Sequence, residues 1–197
     1  MSVSKESIVK ASIKILKREG IEGLNMRAIA KKLDIKAASL YWHISGKLEL
    51  YGEIAEQLCA EITLPQDSRD PGDCLLEICT AYRAMLLGTR DSVTILEESV
   101  PNTPRRIAII KAQSGYLLKI GVDEQNLMTA GNLLNNYVLS FVADELRMKQ
   151  RPPEAVKDFL EQLDPNDRLI FSSERDYDTQ FLYGLQVIFA GLKKAGR

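Results

Sequence analysis

The sequence predicts an all-α protein in which a head of three short helices, residues 1–46, precedes a larger helical body, residues 47–197. Three observations carry that prediction. Apolar residues recur three and four positions apart along almost the whole chain, the period of a helix buried on one side. Cap residues followed by proline, Asp70-Pro71 and Thr103-Pro104, mark helix starts. No stretch alternates apolar and polar residues as a half-buried strand does.

The elements follow in order. Ser4 caps a first helix in which Ile8, Ala11, Ile15 and Leu16 recur at helical spacing, and Gly20 ends it. Asn25 caps a second helix that turns Ile29, Ala30 and Leu33 inward, and Asp34-Ile35 makes the turn. A third helix starts near Lys36 or Ala37 and buries Leu40 and Ile44, which leaves Ser39, Tyr41 and His43 on the other side. Trp42 is expected to pack inside the head. Ser45-Gly46 breaks this helix, and Ser45 is expected to cap a fourth that runs from Lys47 to Pro65 and joins head to body.

In the body, Asp70-Pro71 opens a helix that reaches Gly88, a shorter helix covers Ser92 to Ser99, and Thr103-Pro104 opens another that reaches Gly121. Asp123 to about Lys149 is apolar over a wide arc, so it must be buried on two sides. A helix follows Pro152-Pro153, DPNDRLIFSSERD reads as a polar connection, and a last helix runs from Tyr177 to Lys194. Gly184 and Gly191, seven apart, allow that helix a close neighbour. Together the segments near 123–149 and 177–194 are expected to form a four-helix contact in a homodimer.

Composition narrows the function classes. The net charge is −1, but residues 1–47 carry +6 and the remainder −7, the asymmetry expected if only the head approaches phosphates. Cys59, Cys74 and Cys79 match no metal spacing and read as small buried hydrophobes. No apolar run approaches the roughly 18 residues of a membrane span, and MSVSKESIVK has no signal-peptide core, so a cytoplasmic location is expected.

Residues 25–47, NMRAIAKKLDIKAASLYWHISGK, read as a DNA-reading device. A helix in the major groove needs small residues at the base edges and polar groups at the phosphates. Ala37, Ala38 and Ser39 supply the small end, offering shape and methyl contacts. Arg27 is the candidate for a bidentate contact to guanine, Lys36 for a base or phosphate, and Tyr41, His43 and Lys47 for phosphates. His43 is the sole histidine and has no adjacent nucleophile, so it carries no catalytic reading.

GIEGLNMRAIAKKLDIKAASLYWHISGK resembles the DNA-binding head of the TetR family of transcriptional regulators, and LYWH followed by Lys47 is similar to its tetracycline-repressor subgroup. FLYGLQVIFAGLKK resembles the subgroup's dimerisation helix and RDSVTILEESVP its ligand-contact region. The resemblance covers most of the chain, strongly at residues 5–60 and weakly around 150–176. It implies a helix-turn-helix head on a ligand-binding and dimerisation body, and a homodimer that represses at a palindromic double-stranded DNA operator until a small molecule releases it. Carried over by position, Arg27, Lys36, Ala37, Ala38, Ser39, Tyr41, His43 and Lys47 form the DNA-facing set. Ala37 stands where the subgroup has glutamine, so the operator sequence does not transfer.

In that subgroup a histidine of the short middle helix ligates the magnesium of a drug chelate. The alignment puts Leu96 there and Val100 in place of an arginine. Gln113 matches a polar pocket residue, Tyr82 a pocket aromatic and Asp144 a water-mediated metal carboxylate. The resemblance therefore implies an uncharged or less polar effector in place of a magnesium-tetracycline chelate, with no metal and no cofactor. The expected pocket is lined by Ile78, Tyr82, Met85, Leu96, Val100, Gln113, Tyr116, Leu117, Asn135, Asn136 and Asp144. A rival enzyme reading built on Glu97, Glu98, Asp144 or Glu145 lacks a nucleophile–base pair, and no catalytic residue is assigned. The remaining alternative is a helical ligand-binding or interaction protein with a vestigial head.

Overall fold

The computed structural model describes residues 3–66, 69–167 and 176–195, which are helical with no strand. Helix α1 (Lys5–Glu19) starts at Ser4, whose hydroxyl accepts the Ser7 amide while the Ser7 hydroxyl accepts the Ser4 amide. Two otherwise orphaned N–H groups are satisfied by that exchange. Gly20 ends α1 at φ 75°, and a Cβ there would lie 2.8 Å from the Arg90 guanidinium of the body. Glycine is favoured there by the left-handed backbone, while the arginine tip could move aside for a Cβ. One residue on, the Ile21 amide donates to Asp91 Oδ2 at 2.7 Å, a second tie between head and body.

Asn25 caps α2 (Met26–Leu33), accepting the Ala28 amide at 2.9 Å, and Asp34 turns the chain in the left-handed region at φ 55°. The third helix is shorter than the sequence suggests. α3 is the single turn Ala37–Leu40, after which the His43 and Ile44 amides both reach the Leu40 carbonyl at 2.9 Å. Leu40 and Ile44 are fully buried as expected, but Trp42 is 89% exposed and does not pack inside the head. It lies two residues from each of these anchors, on the opposite side of the turn.

Helix α4 (Lys47–Cys59) begins at Gly46, so Ser45 is not its cap. Instead the Ser45 amide and hydroxyl both donate to Glu49 Oε2 at 2.7 Å, and Lys5 Nζ sits 2.8 Å from Oε1. α4 also stops short of Pro65, although Ile62 beyond it stays buried. It packs against α1 on one side and against α6 (Ser92–Glu97) and α7 (Pro104–Lys119) on the other. Thr103 precedes Pro104 but makes no cap bond, and its hydroxyl is buried without a partner. The cap comes from α4: the Glu56 carboxylate accepts the Arg105 amide at 2.8 Å and 3.0 Å.

Asp70 caps α5 (Pro71–Leu87) through the amides of Gly72 and Asp73. α5, α7 and α8 (Leu127–Gln150) pack mutually, α9 (Pro153–Glu161) follows, and α10 (Tyr177–Ala195) lies on α8 and α5. The connection DPNDRLIFSSERD is described only at its ends, and residues 168–175 lie outside the described residues. Phe181 of α10 is fully buried, a contribution of roughly 1.5–3 kcal/mol. Gly184 lets α10 approach Tyr137 of α8, whose hydroxyl oxygen would stand 2.1 Å from a Cβ, whereas Gly191 faces open space. The two glycines are therefore not equivalent. Cys59, Cys74 and Cys79 are buried free thiols. Among the described residues no helix is long and apolar enough to cross a membrane.

A charge cluster, buried at Arg83 and Glu145 and exposed at Asp178 and Lys149, links three helices of the body. Arg83 of α5 reaches Glu145 Oε2 of α8 at 2.8 Å and Asp178 Oδ1 of α10 at 2.7 Å, and its guanidinium lies 4.9 Å from the Phe181 ring centre. Lys149 meets the other Glu145 oxygen at 2.6 Å. Glu145 is only 1% exposed, so its charge depends on these partners. Arg83→Met is expected to lower the unfolding free energy by about 3 kcal/mol or more in a urea titration. A loss below about 1 kcal/mol would mean that Lys149 alone compensates Glu145.

At the α3–α4 corner the Lys5 ammonium, followed by the Ser45 amide and hydroxyl, lowers the Glu49 carboxyl from 4.5 to about 2. A depressed carboxyl contributes stability above its unfolded value and loses it as the proton binds in the folded state. Stability should therefore fall between pH 4.5 and about pH 2. Glu49→Gln should flatten acid unfolding curves in that window, and an unchanged curve would rule Glu49 out as a contributor.

Candidate nucleic-acid interface and effector cavity

The expected DNA-facing residues gather around α2 and α3, with one exception. Arg27, Lys36 and Ala38 are exposed, Tyr41 is 56% exposed, and Ala37, Ser39 and His43 are half-buried. Among the described residues none of Arg27, Lys31, Lys32 and Lys36 forms an ion pair; in α1 Lys5, Lys10 and Arg18 do, while Lys14 and Lys17 do not. Four cations without an ion pair among the described residues thus lie along α2 and the start of α3, with only Asp34 between them in sequence. Such a corner attracts a polyanion.

Lys47 is the exception. Its ammonium is 2.8 Å from Glu98 Oε2 of the body and 5.0 Å from the Tyr51 ring centre, so the side chain is turned toward α6. Only its backbone amide, at the start of α4, keeps the expected orientation for an anion. Sequence reasoning missed Trp42, the most exposed large apolar side chain in the head, which stands beside Tyr41. Its offset of two from Leu40 and from Ile44 was the available signal.

Inside the body a cavity of about 460 Å³ lies between α4, α5, α7 and α8. Ile78, Tyr82, Gln113 and Asn135 line it as expected. A second cavity of about 480 Å³ adjoins it, with Leu96 and Asn136 in its wall, and Pro101, Arg106 and Asn135 are common to both. The other expected lining residues lie elsewhere. Met85 and Leu117 are core, Val100 is 58% exposed, and Asp144 is exposed in an ion pair with Arg147. Tyr116 donates its hydroxyl to the Pro65 carbonyl. Tyr116 and Leu117 continue the Gln113 stripe by one turn, which carries them past the cavity to the loop after α4.

Arg106 is the residue the sequence reading passed over. It is 8% exposed and is the sole charged side chain lining the first cavity. Its Nη1 donates to Ser99 Oγ at 2.8 Å and to the Val100 carbonyl at 3.0 Å, and its Nη2 donates to the Leu96 carbonyl at 3.4 Å. The spacing Arg106, Ile109, Ile110, Gln113 is one helix face, a signal obscured because Arg105-Arg106 reads as a solvated helix start. The thiols beside it are inert: burial pushes Cys59 up to about 11 and Cys79 up to about 12. Burial raises the Tyr82 phenol as well. Among the described residues no cluster of three or more His, Cys, Asp or Glu has the arrangement of a metal site, and Leu96 presents only an aliphatic chain.

Two family models cover most of the chain. Residues 8–54 match the bacterial regulatory proteins of the tetR family, and residues 64–195 match the tetracyclin repressor-like C-terminal domain. Among characterised relatives, an HTH-type transcriptional regulator of Saccharopolyspora erythraea is 26% identical over 73% of this chain, which spans 61% of that protein's length. The class D tetracycline repressor protein of Escherichia coli is 24% identical over 97% of this chain and 89% of its own. Among solved structures, Streptomyces coelicolor ActR in complex with (S)-DNPA superposes with TM-score 0.86 at 25% identity, over 100% of both chains. BioQ with its double-stranded DNA operator superposes with TM-score 0.76 at 26% identity, over 98% of this chain and 99% of that one. With matching models across head and body alike, the chain belongs to the TetR family of bacterial regulatory proteins.

Proposed function

We propose that this protein is a dimeric, sequence-specific repressor that leaves a palindromic DNA operator when a small molecule enters the body. The observation that carries the reading is the combination of an uncompensated basic corner at α2–α3 with a cavity of about 460 Å³ whose walls include α4, the helix leading out of that corner. The operator complex of BioQ and the ligand complex of ActR support it by analogy at similar identity. The division falls at Gly46, with a DNA-binding head at 1–46 and a ligand-binding and dimerisation body at 47–197. Dimerisation through α8 and α10 is supported by the exposed apolar residues Leu133, Leu182, Tyr183 and Val187. A cytoplasmic, non-enzymatic role goes with this reading.

In the head, Arg27 reads guanine, Lys36 assists at a base or phosphate, and Ala37, Ala38 and Ser39 fit the groove. Tyr41, His43 and the Lys47 amide hold phosphates. A ligand that fits best when α4 is tilted draws the dimer toward a form whose heads no longer match half-sites about 34–36 Å apart.

Selection of bound oligonucleotides from a random duplex pool, repeated at several salt concentrations, tests the central claim. A selected palindrome and a steep log–log salt slope are expected, and a flat slope with no selection would identify a vestigial head. On the selected site Arg27→Ala should cost about 1–3 kcal/mol and relax one position, whereas an equal loss on every sequence would reassign Arg27 to phosphate. Titration with magnesium-tetracycline in a calorimeter should show no tight complex, because Leu96 offers magnesium no ligand atom. Submicromolar binding would overturn that assignment.

A further inference from the structure

We propose that the effector is an organic acid, a largely apolar molecule bearing a carboxylate or acidic phenolate that Arg106 binds. The proposal rests on the effector role assigned to the body above and names the chemical class that the site selects. It narrows the expectation of an uncharged or less polar effector to a largely apolar one that carries an acid group.

Arg106 is a buried guanidinium without a counter-ion. Among the described residues no carboxylate lies within ion-pair distance of it, and its Nε makes no hydrogen bond. Two acids are near in sequence or space, and neither is committed to it. Glu56 spends its carboxylate on the amides of Arg105 and Arg106 at the start of α7. Glu97 lines the second cavity but is exposed. Arg105 adds a further cation and directs its guanidinium at the carbonyls of Cys59 and Ile62.

Buried charges are ordinarily paired, because carbonyls alone recover only part of the lost hydration. Here the carbonyl of Leu96, in the last turn of α6, and that of Val100, in the loop beyond it, supply that part. The rest of the field falls on a cavity whose remaining walls are neutral: Gln113, Asn132 and Asn135 among apolar side chains. An entering anion would meet a cation largely shielded from water and held in place, and the amides offer donors to its second oxygen. Planar guanidinium and carboxylate groups match in geometry, which favours an acid over a neutral isostere. Leu96 has removed the metal ligand of the subgroup, and Arg106 restores a positive charge from a different helix.

Binding of matched aromatic acids and their primary amides, anthracene-2-carboxylic acid with its carboxamide and naphthalene-2-carboxylic acid with its carboxamide, is to be measured on the full-length protein without DNA. The acids should bind at least ~10-fold tighter than the amides to the wild type. Arg106→Gln should abolish the preference while amide affinity persists, and Arg106→Lys should keep part of it. Because Arg106 also holds the end of α6, a variant that fails to fold is replaced by side-chain NMR of the wild type, in which the acid alone should shift a slowly exchanging arginine Nε–H signal. Equal affinity of acid and amide, no binding of either up to millimolar concentration, a preference that survives Arg106→Gln, or an unshifted Nε–H signal would each overturn the proposal. Since no DNA is present, these outcomes are independent of the repressor reading. An acid that binds through Arg106 yet leaves the selected duplex bound supports the anion site and refutes release by that ligand.

Discussion

One helix carries the hydrophobic core from head to body, and the molecule is arranged around that constraint. α4 buries Leu50, Ile54, Ala55 and Leu58, with α1 on its head side and α6 and α7 on its body side. It also supplies the Glu56 carboxylate that caps α7 in place of the expected Thr103. A helix with so many obligations has little freedom to rotate alone, because packed interiors resist partial rearrangement. Any displacement of α4 must be shared by the reading turn at one end and by the cavity wall at the other. The contacts Lys47–Glu98 and Ile21–Asp91 reinforce the same junction from the surface.

The body solves two charge problems in opposite ways. Arg83 and Glu145 are buried together, with Asp178 and Lys149 completing a cluster that binds three helices. That cluster is closed, and its charges are satisfied within the chain. Arg106 is left open: its donors are partly used by carbonyls and its charge faces a cavity. The difference is one of partners and not of burial, since both arginines are below a tenth exposed. A closed cluster stabilises the fold, whereas an open one is a place where a ligand gains more than solvent did.

Much of the architecture was legible in the sequence because local rules and tertiary packing agree. Ser4, Asn25 and Asp70 cap the helices they were expected to cap, since a side-chain oxygen at that position satisfies amides within three residues. Leu40 and Ile44 were identifiable as anchors from their spacing. Caps supplied from a distance were not legible. Glu56 reaches α7 across nearly fifty residues, and Ser45 turned out to be bound by Glu49 instead of capping α4. Of the residues expected around a pocket, Ile78, Tyr82, Gln113 and Asn135 line the first cavity and Leu96 and Asn136 the second, whereas Met85, Val100, Tyr116, Leu117 and Asp144 line neither. Helical periodicity gives the face of a residue, while the length of a cavity along that face depends on what closes its ends.

By itself the sequence determined the helical class, the order of the elements, and the basic head with small residues in its third helix. These depend on composition and on spacing within one or two turns. Tertiary structure alone decided which charges are neutralised. Among the described residues it sent the Lys47 ammonium to Glu98, left Arg27, Lys31, Lys32 and Lys36 without an ion pair, and buried Arg106 against carbonyls with no carboxylate in ion-pair reach of its guanidinium. The physical reason is that the electrostatics of a charged side chain depend on its partners and its access to water, and both are set by residues far away in the chain.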